Sequence, residues 1–303
     1  MKRSAIIFIA ATLLTACTQQ SLQQRTAELC RNIPSDALCE QSLDYLTDDF
    51  YDVLDTLFCL PELEALDHEW LHFFTAADGS AIADCACEVL SVTQSDDSHA
   101  TATVRIQPAD TGYDAEQHTL SIVREKGKWL LDDFDDHKAD CRRHIAANRR
   151  EQELREAISD YLISEIGAQY LQGELCVPAL QIVAEQESDA AQTLVWGDFW
   201  VFWYNVCGDT LKTVSGGNHP GLMTLTDEAG ELTVTNFEQV EDGSRNLPSA
   251  KRIFGDKFDL FQAIQSNADV REAVRQHQLR DFIRTNELEV NFYQDHGWAA
   301  VEL

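Results

Sequence analysis

The sequence predicts an α+β protein made of two units, each with helices followed by an antiparallel sheet. Before residue 60 the apolar residues recur every three to four positions, as in a helix, whereas after Gly79 they alternate with polar residues, as in a strand. The same order returns after residue 136. The segments 127–134 and 230–237 also align, since both begin with glycine and end with phenylalanine. Two copies of one unit, followed by C-terminal helices, explain this pattern.

The first unit begins with helices between residues 20 and 58. Pro61 ends that run, because proline cannot continue a helix. Alternating segments separated by turn sequences then predict an antiparallel meander. Its strands are predicted at 81–92, 100–106, 118–123 and 129–134.

A charged helix predicted at 136–172 leads into the second unit. Five further strands are predicted at 180–184, 194–206, 210–214, 222–226 and 232–240. Two helices follow at 248–264 and 268–285, and the tail 288–303 is expected to add a strand. The turn-rich segment 215–221 is interpreted as a hairpin loop.

The first seventeen residues predict export. Lys2 and Arg3 precede a short apolar run, 5–14, which is typical of a secretory signal. Leu14-Thr15-Ala16-Cys17 resembles the bacterial lipobox. The resemblance implies cleavage before Cys17, a diacylglyceryl group on its sulfur and acylation of the new amino terminus, and several acyl chains hold a protein durably at a membrane. Thr18, in place of aspartate, favours the outer membrane, with the protein facing either the periplasm or the outside.

The remaining length predicts two domains, because a single core rarely organises so many residues. We expect a signal peptide at 1–16, a tether at 17–29, a first domain at 30–145 and a second domain with C-terminal helices at 146–303. The formal net charge of −29 makes nucleic acid an unfavourable partner, since such a surface repels phosphates.

The first unit is similar to the nuclear-transport-factor-like, cystatin-like α+β superfamily, and in particular to uncharacterised domains of exported bacterial lipoproteins. The similarity covers about residues 30–140 and rests on four segments. These are Phe50-Tyr51, the stretch 66–74, Ala77-Asp78-Gly79 and the closing strand 127–134. The resemblance implies a curved sheet wrapped around helices into a cone, whose open end binds a small molecule or is filled. Many members of the superfamily have no enzyme activity.

The string His68-Glu69-Trp70-Leu71-His72 is an H-E-x-x-H motif. On a helix, its two histidines would stand one turn apart and could share Zn²⁺, with Glu69 as general base. Asp78 stands at the spacing of a third ligand, and Glu88 is a more distant alternative that falls in a predicted strand. The competing interpretation is a helix that packs Trp70 inward and binds no metal.

A second cluster is Asp132-Asp133-Phe134-Asp135-Asp136-His137, followed by Cys141 and His144. On a helix, His137, Cys141 and His144 would share one face and could bind a metal. The alternative is that the aspartates cap the long helix and that Cys141 forms a disulfide.

Eight cysteines remain besides Cys17, an even number that predicts disulfides in an exported chain. Six precede residue 150, with fifteen possible pairings. The two in the second unit, Cys176 and Cys207, are predicted to pair with each other. Disulfides from Cys85 and Cys87 would join their strand to helices on either side.

The densest aromatic run is 196–204. In a strand, Trp200, Phe202 and Tyr204 share one face, so both faces of that strand are expected to be covered. The run either belongs to the core or lines a pocket for an apolar or sugar-like ligand, with Asp198 and Asn205 as polar contacts.

These patterns favour a non-catalytic lipoprotein of the bacterial envelope that needs no cofactor. From its membrane anchor it would bind a small ligand, through Trp200, Tyr204 and Asp198, or a protein of the envelope. The alternative function is a zinc-dependent hydrolase that uses His68, Glu69 and His72.

Overall fold

The protein is described here by a computed structural model that covers residues 22–33, 38, 40–60, 76–110, 112–188, 192–228 and 230–303. Within these residues the chain is α+β, as the sequence predicts. It divides into two units, Met1–Arg149 and Arg150–Leu303. The predicted signal peptide, Cys17 and the H-E-x-x-H string lie outside the described residues.

In its described residues, the first unit combines two helices before residue 60 with a four-stranded sheet. Helix α1 covers residues 22–30 and α2 covers Asp48–Phe58. The sheet order β1-β2-β3-β4 is an antiparallel meander, which confirms the predicted topology. Its strands are Ala86–Gln94, His99–Gln107, Glu116–Glu125 and Lys128–Phe134. Strand β1 starts later than predicted, because Ile82–Asp84 forms a turn of 3₁₀ helix.

One face of this sheet packs on both helices. Buried and more exposed residues alternate along β2, as expected for a strand with one face in the core. The buried residues are Ala100, Ala102, Val104 and Ile106. They share one core with apolar residues of α1 and α2. Thr47 starts α2, since its Oγ1 accepts a hydrogen bond from the amide of Phe50 at 3.1 Å.

The second unit begins within helix α3, His137–Tyr161, which continues as a π turn, Leu162–Ile166. Its sheet has seven strands, in the order β11-β10-β7-β6-β8-β9, with β5 paired to β6. Pairing is antiparallel except between β7 and β10. The strands are Leu175–Glu187, Gln192–Cys207, Thr210–Asn218, Gly221–Glu228, Glu231–Gln239, Phe292–Gln294 and Val301–Glu302, numbered β5 to β11.

Strand β6 organises this sheet. Along one edge it pairs with β5, and along the other its first half pairs with β8 and its second half with β7. Residues 215–218, expected in a loop, are therefore strand residues of β7, and only His219 and Pro220 connect β7 to β8. Strand β5 begins earlier than predicted and contains Pro178, which is tolerated because β5 has a single strand partner among the described residues.

Three helices close the chain: α4 (Asn246–Phe254), α5 (Phe258–Ser266) and α6 (Ala268–Thr285). The single helix predicted at 248–264 is thus two helices. Gly255 ends the first with a φ of 53°, a left-handed conformation that glycine adopts without strain.

Both faces of β6 are covered, as predicted. Phe199 and Val201 pack against α3 residues such as Ile158 on one face. On the other face, Trp196 packs against α4 and α5, and Tyr204 packs against α6. No helix among the described residues is both long enough and apolar enough to cross a membrane.

Candidate ligand-binding site

A cavity of about 230 Å³ lies in the second unit, between the β5–β6 hairpin and helix α6. Most ligand pockets have volumes of roughly 300–1,000 Å³. This cavity is smaller, so its size suits a small molecule that contains a single ring. Its lining consists of Ala179 and Gln181 from β5, Trp200 and Phe202 from β6, and Ala268, Arg271, Glu272, Val274 and Arg275 from α6.

Two aromatic rings form an apolar shelf in this cavity. Trp200 and Phe202 are two residues apart on β6, so their side chains leave the same face of the strand. Their ring centroids lie 5.7 Å apart with an interplanar angle of 7°. The two rings are therefore stacked on each other, and together they give the cavity an aromatic wall against which the ring of a ligand can pack.

Tyr204, predicted as a third aromatic contact, belongs to the core. Its side chain is fully buried, and its hydroxyl oxygen accepts a hydrogen bond from Nε of Arg275 at 3.0 Å. Burial raises the pKa of Tyr204 to about 12. The prediction of Tyr204 as a ligand contact is therefore corrected, because helix α6 covers the end of β6 on which it lies.

Asp198 is fully buried next to the shelf and does not line the cavity. Its carboxylate accepts hydrogen bonds from Nδ2 of Asn218 and from the indole Nε1 of Trp200, the latter at 3.3 Å. Burial raises the pKa of Asp198, while these hydrogen bonds and the nearby charge of Arg271 oppose the rise. Its role here is to orient Trp200 rather than to contact a ligand, which corrects the predicted direct contact.

Arg271 brings positive charge to the cavity. Its guanidinium carbon lies 5.7 Å from the centroid of the Trp200 ring. Two buried polar atoms of the lining, Nε of Arg271 and Oε1 of Gln181, have no hydrogen-bond partner within the described part of the chain. Buried polar groups are normally paired, so these two unpaired atoms are an unusual feature of the residues that line the cavity.

Arg275 differs from Arg271, because its donors are already used. It donates from Nη1 and Nη2 to the two carboxylate oxygens of Asp295, at 2.8 and 2.7 Å, and from Nη2 to Thr213 at 3.1 Å. Its guanidinium carbon lies 4.0 Å from the Phe202 ring centroid. Arg275 therefore fixes the wall of the cavity and leaves Arg271 as the cation available to a ligand.

Asn205, the other predicted polar contact, lies at the exposed end of β6. Its Oδ1 accepts a hydrogen bond from the amide of Glu174 at 3.2 Å, next to the start of β5. Asn205 is not among the residues that line the cavity, and we correct its predicted role to that of a structural contact.

The proposed zinc ligands His68 and His72, and the base Glu69, lie outside the described residues. Asp78 is described, and its carboxylate accepts hydrogen bonds from Ser80 and from the amide of Asp110. These bonds lower its pKa to about 2. Glu88 lies in a strand, as predicted, and pairs with Arg105. Asp78 thus has a structural role in joining two loops.

The cluster at 132–144 caps a helix. Oδ1 of Asp133 accepts from the amide of Lys138 at 2.9 Å, in the first turn of α3, which confirms the predicted cap. Asp135 binds His118 at 2.6 Å. Cys141 is fully buried, and burial raises its pKa to about 11. Among the described residues, no group of three histidine, cysteine or acidic side chains is arranged to hold a metal ion.

The predicted disulfide between Cys176 and Cys207 is wrong. Cys176 lies opposite Trp203, and Cys207 is four residues further along β6, a distance of about 13 Å along the strand. Bridged cysteines need Cα atoms within about 7 Å of each other. All seven cysteines that the structure describes, Cys30 and Cys87 included, carry free thiols, so the distance is what excludes this pair.

Sequence reasoning identified Trp200 but missed Arg271 and Gln181. These residues belong to elements about 90 positions apart, and nothing in their local patterns indicates that they meet. The only available signal was the position of Arg271 and Arg275, which lie one turn apart and so on one face of the predicted helix 268–285.

The fold and the cavity together define an α+β protein with a small aromatic and basic pocket in its second unit. No protein-family model matches the chain, and no curated protein sequence matches it. A solved structure described as "Ntf2 like protein involved in plasmid conjugation" is similar at 12% identity, over 52% of this chain and 77% of that chain, with a TM-score of 0.19. A likeness at that TM-score supports no conclusion about function.

Proposed function

We propose that this protein is a non-catalytic lipoprotein of the bacterial envelope, anchored through Cys17, that binds a small ligand between β6 and α6. The observation that carries the ligand-binding part is the cavity itself, in which the Trp200–Phe202 shelf stands beside Arg271. The lipobox resemblance carries the anchoring part. The only carboxylate in the described lining is that of Glu272, which accepts a hydrogen bond from Gln276.

The lining favours a flat ring that bears a negative charge. A planar ring would pack against the aromatic shelf, and an anionic oxygen would accept a hydrogen bond from Arg271. The net charge of −29 repels anions from the protein as a whole. Binding of an anion would therefore depend strongly on this one arginine.

Benzoate tests the proposed ligand class, because it joins one ring to one carboxylate. We expect saturation-transfer NMR with the full chain in detergent to detect benzoate binding. Benzyl alcohol keeps the ring without the charge, and cyclohexanecarboxylate keeps the charge without the flat ring. Each should bind about tenfold more weakly, since each lacks one interaction worth about 1–2 kcal/mol. Glucose serves as the sugar-like probe and is expected not to bind.

Variants of the pocket give the control. Arg271→Gln and Trp200→Leu should each weaken benzoate binding by about tenfold. Arg280→Gln is the matched control, since Arg280 lies on the same helix and is exposed. Benzoate binding that is equal in all variants, or that is absent from the unaltered protein, would contradict the proposed pocket.

The anchor requires a separate test. Full-length protein expressed in a bacterium and labelled with palmitate should carry label and sediment with membranes. Cys17→Ala should remove the label and release the protein, whereas Cys59→Ala should do neither, because Cys59 is an exposed thiol at the end of α2. Unlabelled wild-type protein would refute the lipoprotein assignment and leave the pocket proposal unaffected.

A further inference from the structure

Two cysteine side chains meet inside the first unit. Cys30 is the last residue of α1 and is fully buried, and Cys87 lies in β1 and is half-buried. Both belong to one hydrophobic cluster, and their thiols are joined by a side-chain hydrogen bond. The contact links a helix to a strand whose residues are 57 positions apart in the sequence.

We propose that Cys30 and Cys87 form a disulfide in the presence of a disulfide oxidant, which joins α1 covalently to β1. Oxidised glutathione represents the oxidant class. The Cys87 thiolate attacks one sulfur of glutathione disulfide and releases one glutathione thiolate. The Cys30 sulfur then attacks the mixed disulfide, loses its proton to solvent and releases the second glutathione. Two thiols are oxidised and one disulfide is reduced to two thiols.

The surroundings assign different roles to the two cysteines. The hydrogen bond from Cys30 and the charge of Arg31 lower the pKa of Cys87, which is also the more exposed of the pair. Cys87 is therefore the attacking thiol. The hydrogen bond with Cys87 and burial raise the pKa of Cys30, so Cys30 stays protonated until the mixed disulfide forms beside it.

Cys85 is the nearest competitor for Cys30, and its contacts direct it elsewhere. Its Sγ lies 3.3 Å from Oγ of Ser80 and donates to the carbonyl oxygen of Ala81 at 3.4 Å. The hydrogen-bond partner of Cys30 is Cys87. The structure therefore selects one pairing among those that the six cysteines before residue 150 allow.

The experiment treats the full chain in detergent with oxidised glutathione, alkylates the remaining thiols, and digests the protein with trypsin and a protease that cleaves at acidic residues. Mass spectrometry should find the peptide containing Cys30 linked to Cys87. This link should persist in Cys85→Ser and disappear in Cys87→Ser. The oxidised protein should also melt about 10 °C higher than the reduced protein, since the disulfide closes a long loop.

Three results would overturn the proposal. These are a link from Cys30 to Cys85 or to another cysteine, alkylation of both Cys30 and Cys87 after oxidation of the folded protein, and a link that survives in Cys87→Ser. Circular dichroism of Cys87→Ser confirms that this variant folds, so loss of the link reports the pairing. Because the pair lies in the first unit, the result is independent of benzoate binding in the second.

Discussion

Arg275 on helix α6 forms a two-pronged ion pair with Asp295, which follows β10, and thereby holds the last helix to the end of the sheet. The arginine side chain is only 9% exposed, whereas that of Asp295 is 41% exposed. This asymmetry means that removing the carboxylate leaves a buried charge without its partner. We expect Asp295→Ala to lower the free energy of unfolding by about 2 kcal/mol, less than for a fully buried pair.

Urea unfolding measures this loss. The matched control is Asp281→Ala, which breaks an exposed ion pair with Arg284 on the same helix and should cost less than about 1 kcal/mol. Equal losses in the two variants would show that the buried pair contributes no more than a surface pair.

The raised pKa of Asp198 predicts that the stability of the protein depends on pH. Burial raises its pKa, so the folded protein holds this proton more tightly than the unfolded chain, in which aspartate titrates near about 3.9. Its stabilising contribution is complete below that pH and is lost as the pH rises through the folded-state pKa. Compared with Asp198→Asn, the wild-type protein should therefore lose stability as the pH rises above about 4, as measured by thermal unfolding.

Asp96 is the control, because its pKa is shifted in the opposite direction. Hydrogen bonds from the amide of Ser98 and from His99 lower its pKa, so its contribution is present at neutral pH and is lost as the pH falls. Asp96→Asn should thus lose its difference from wild type at low pH. A difference between wild type and Asp198→Asn that does not change with pH would contradict the assigned role of Asp198.

The cap of α3 is a third test. Asp133→Ala removes the acceptor of the Lys138 amide and should cost about 1 kcal/mol in urea unfolding. Asp97→Ala, in the exposed turn between β1 and β2, should change stability by less than about 0.5 kcal/mol. A neutral Asp133→Ala would show that solvent caps the helix equally well.

Gly216 lies at a point where β6 and β7 approach each other closely. A Cβ atom at this position would lie 2.4 Å from the carbonyl oxygen of Val201, a backbone atom that cannot move aside cheaply. We expect Gly216→Ala to cost about 2 kcal/mol or more in thermal or urea unfolding. Gly112→Ala meets only the flexible side chain of Asp110 and should be nearly neutral. A stable Gly216→Ala would indicate that the strand register adjusts.

Metal analysis tests the alternative function. We expect elemental mass spectrometry of the purified full chain to find no stoichiometric zinc. Zinc bound at one ion per chain and lost in His68→Ala/His72→Ala would favour the hydrolase instead. The control variant is His277→Ala/His296→Ala, which removes two exposed histidines.

Much of the fold could be predicted, because the period of apolar residues follows from the geometry of helices and strands. The alternation in 99–107 placed its alanines and Ile106 on the buried face, and the alternation in 196–204 placed Trp200 and Phe202 together. Helix ends were less predictable. Gly255 divides one predicted helix into two through its backbone conformation, and glycine inside a helical pattern does not always do so.

The sequence by itself determined the α+β class, the meander of the first unit and the face on which each aromatic residue of β6 lies, because these depend on local periodicity. Only the tertiary structure decided that Arg271 and Gln181 join Trp200, that Tyr204 is covered, and that Cys30 meets Cys87 rather than another cysteine. These outcomes depend on which elements pack against each other, and the packing of distant elements is set by the whole core rather than by neighbours in the chain.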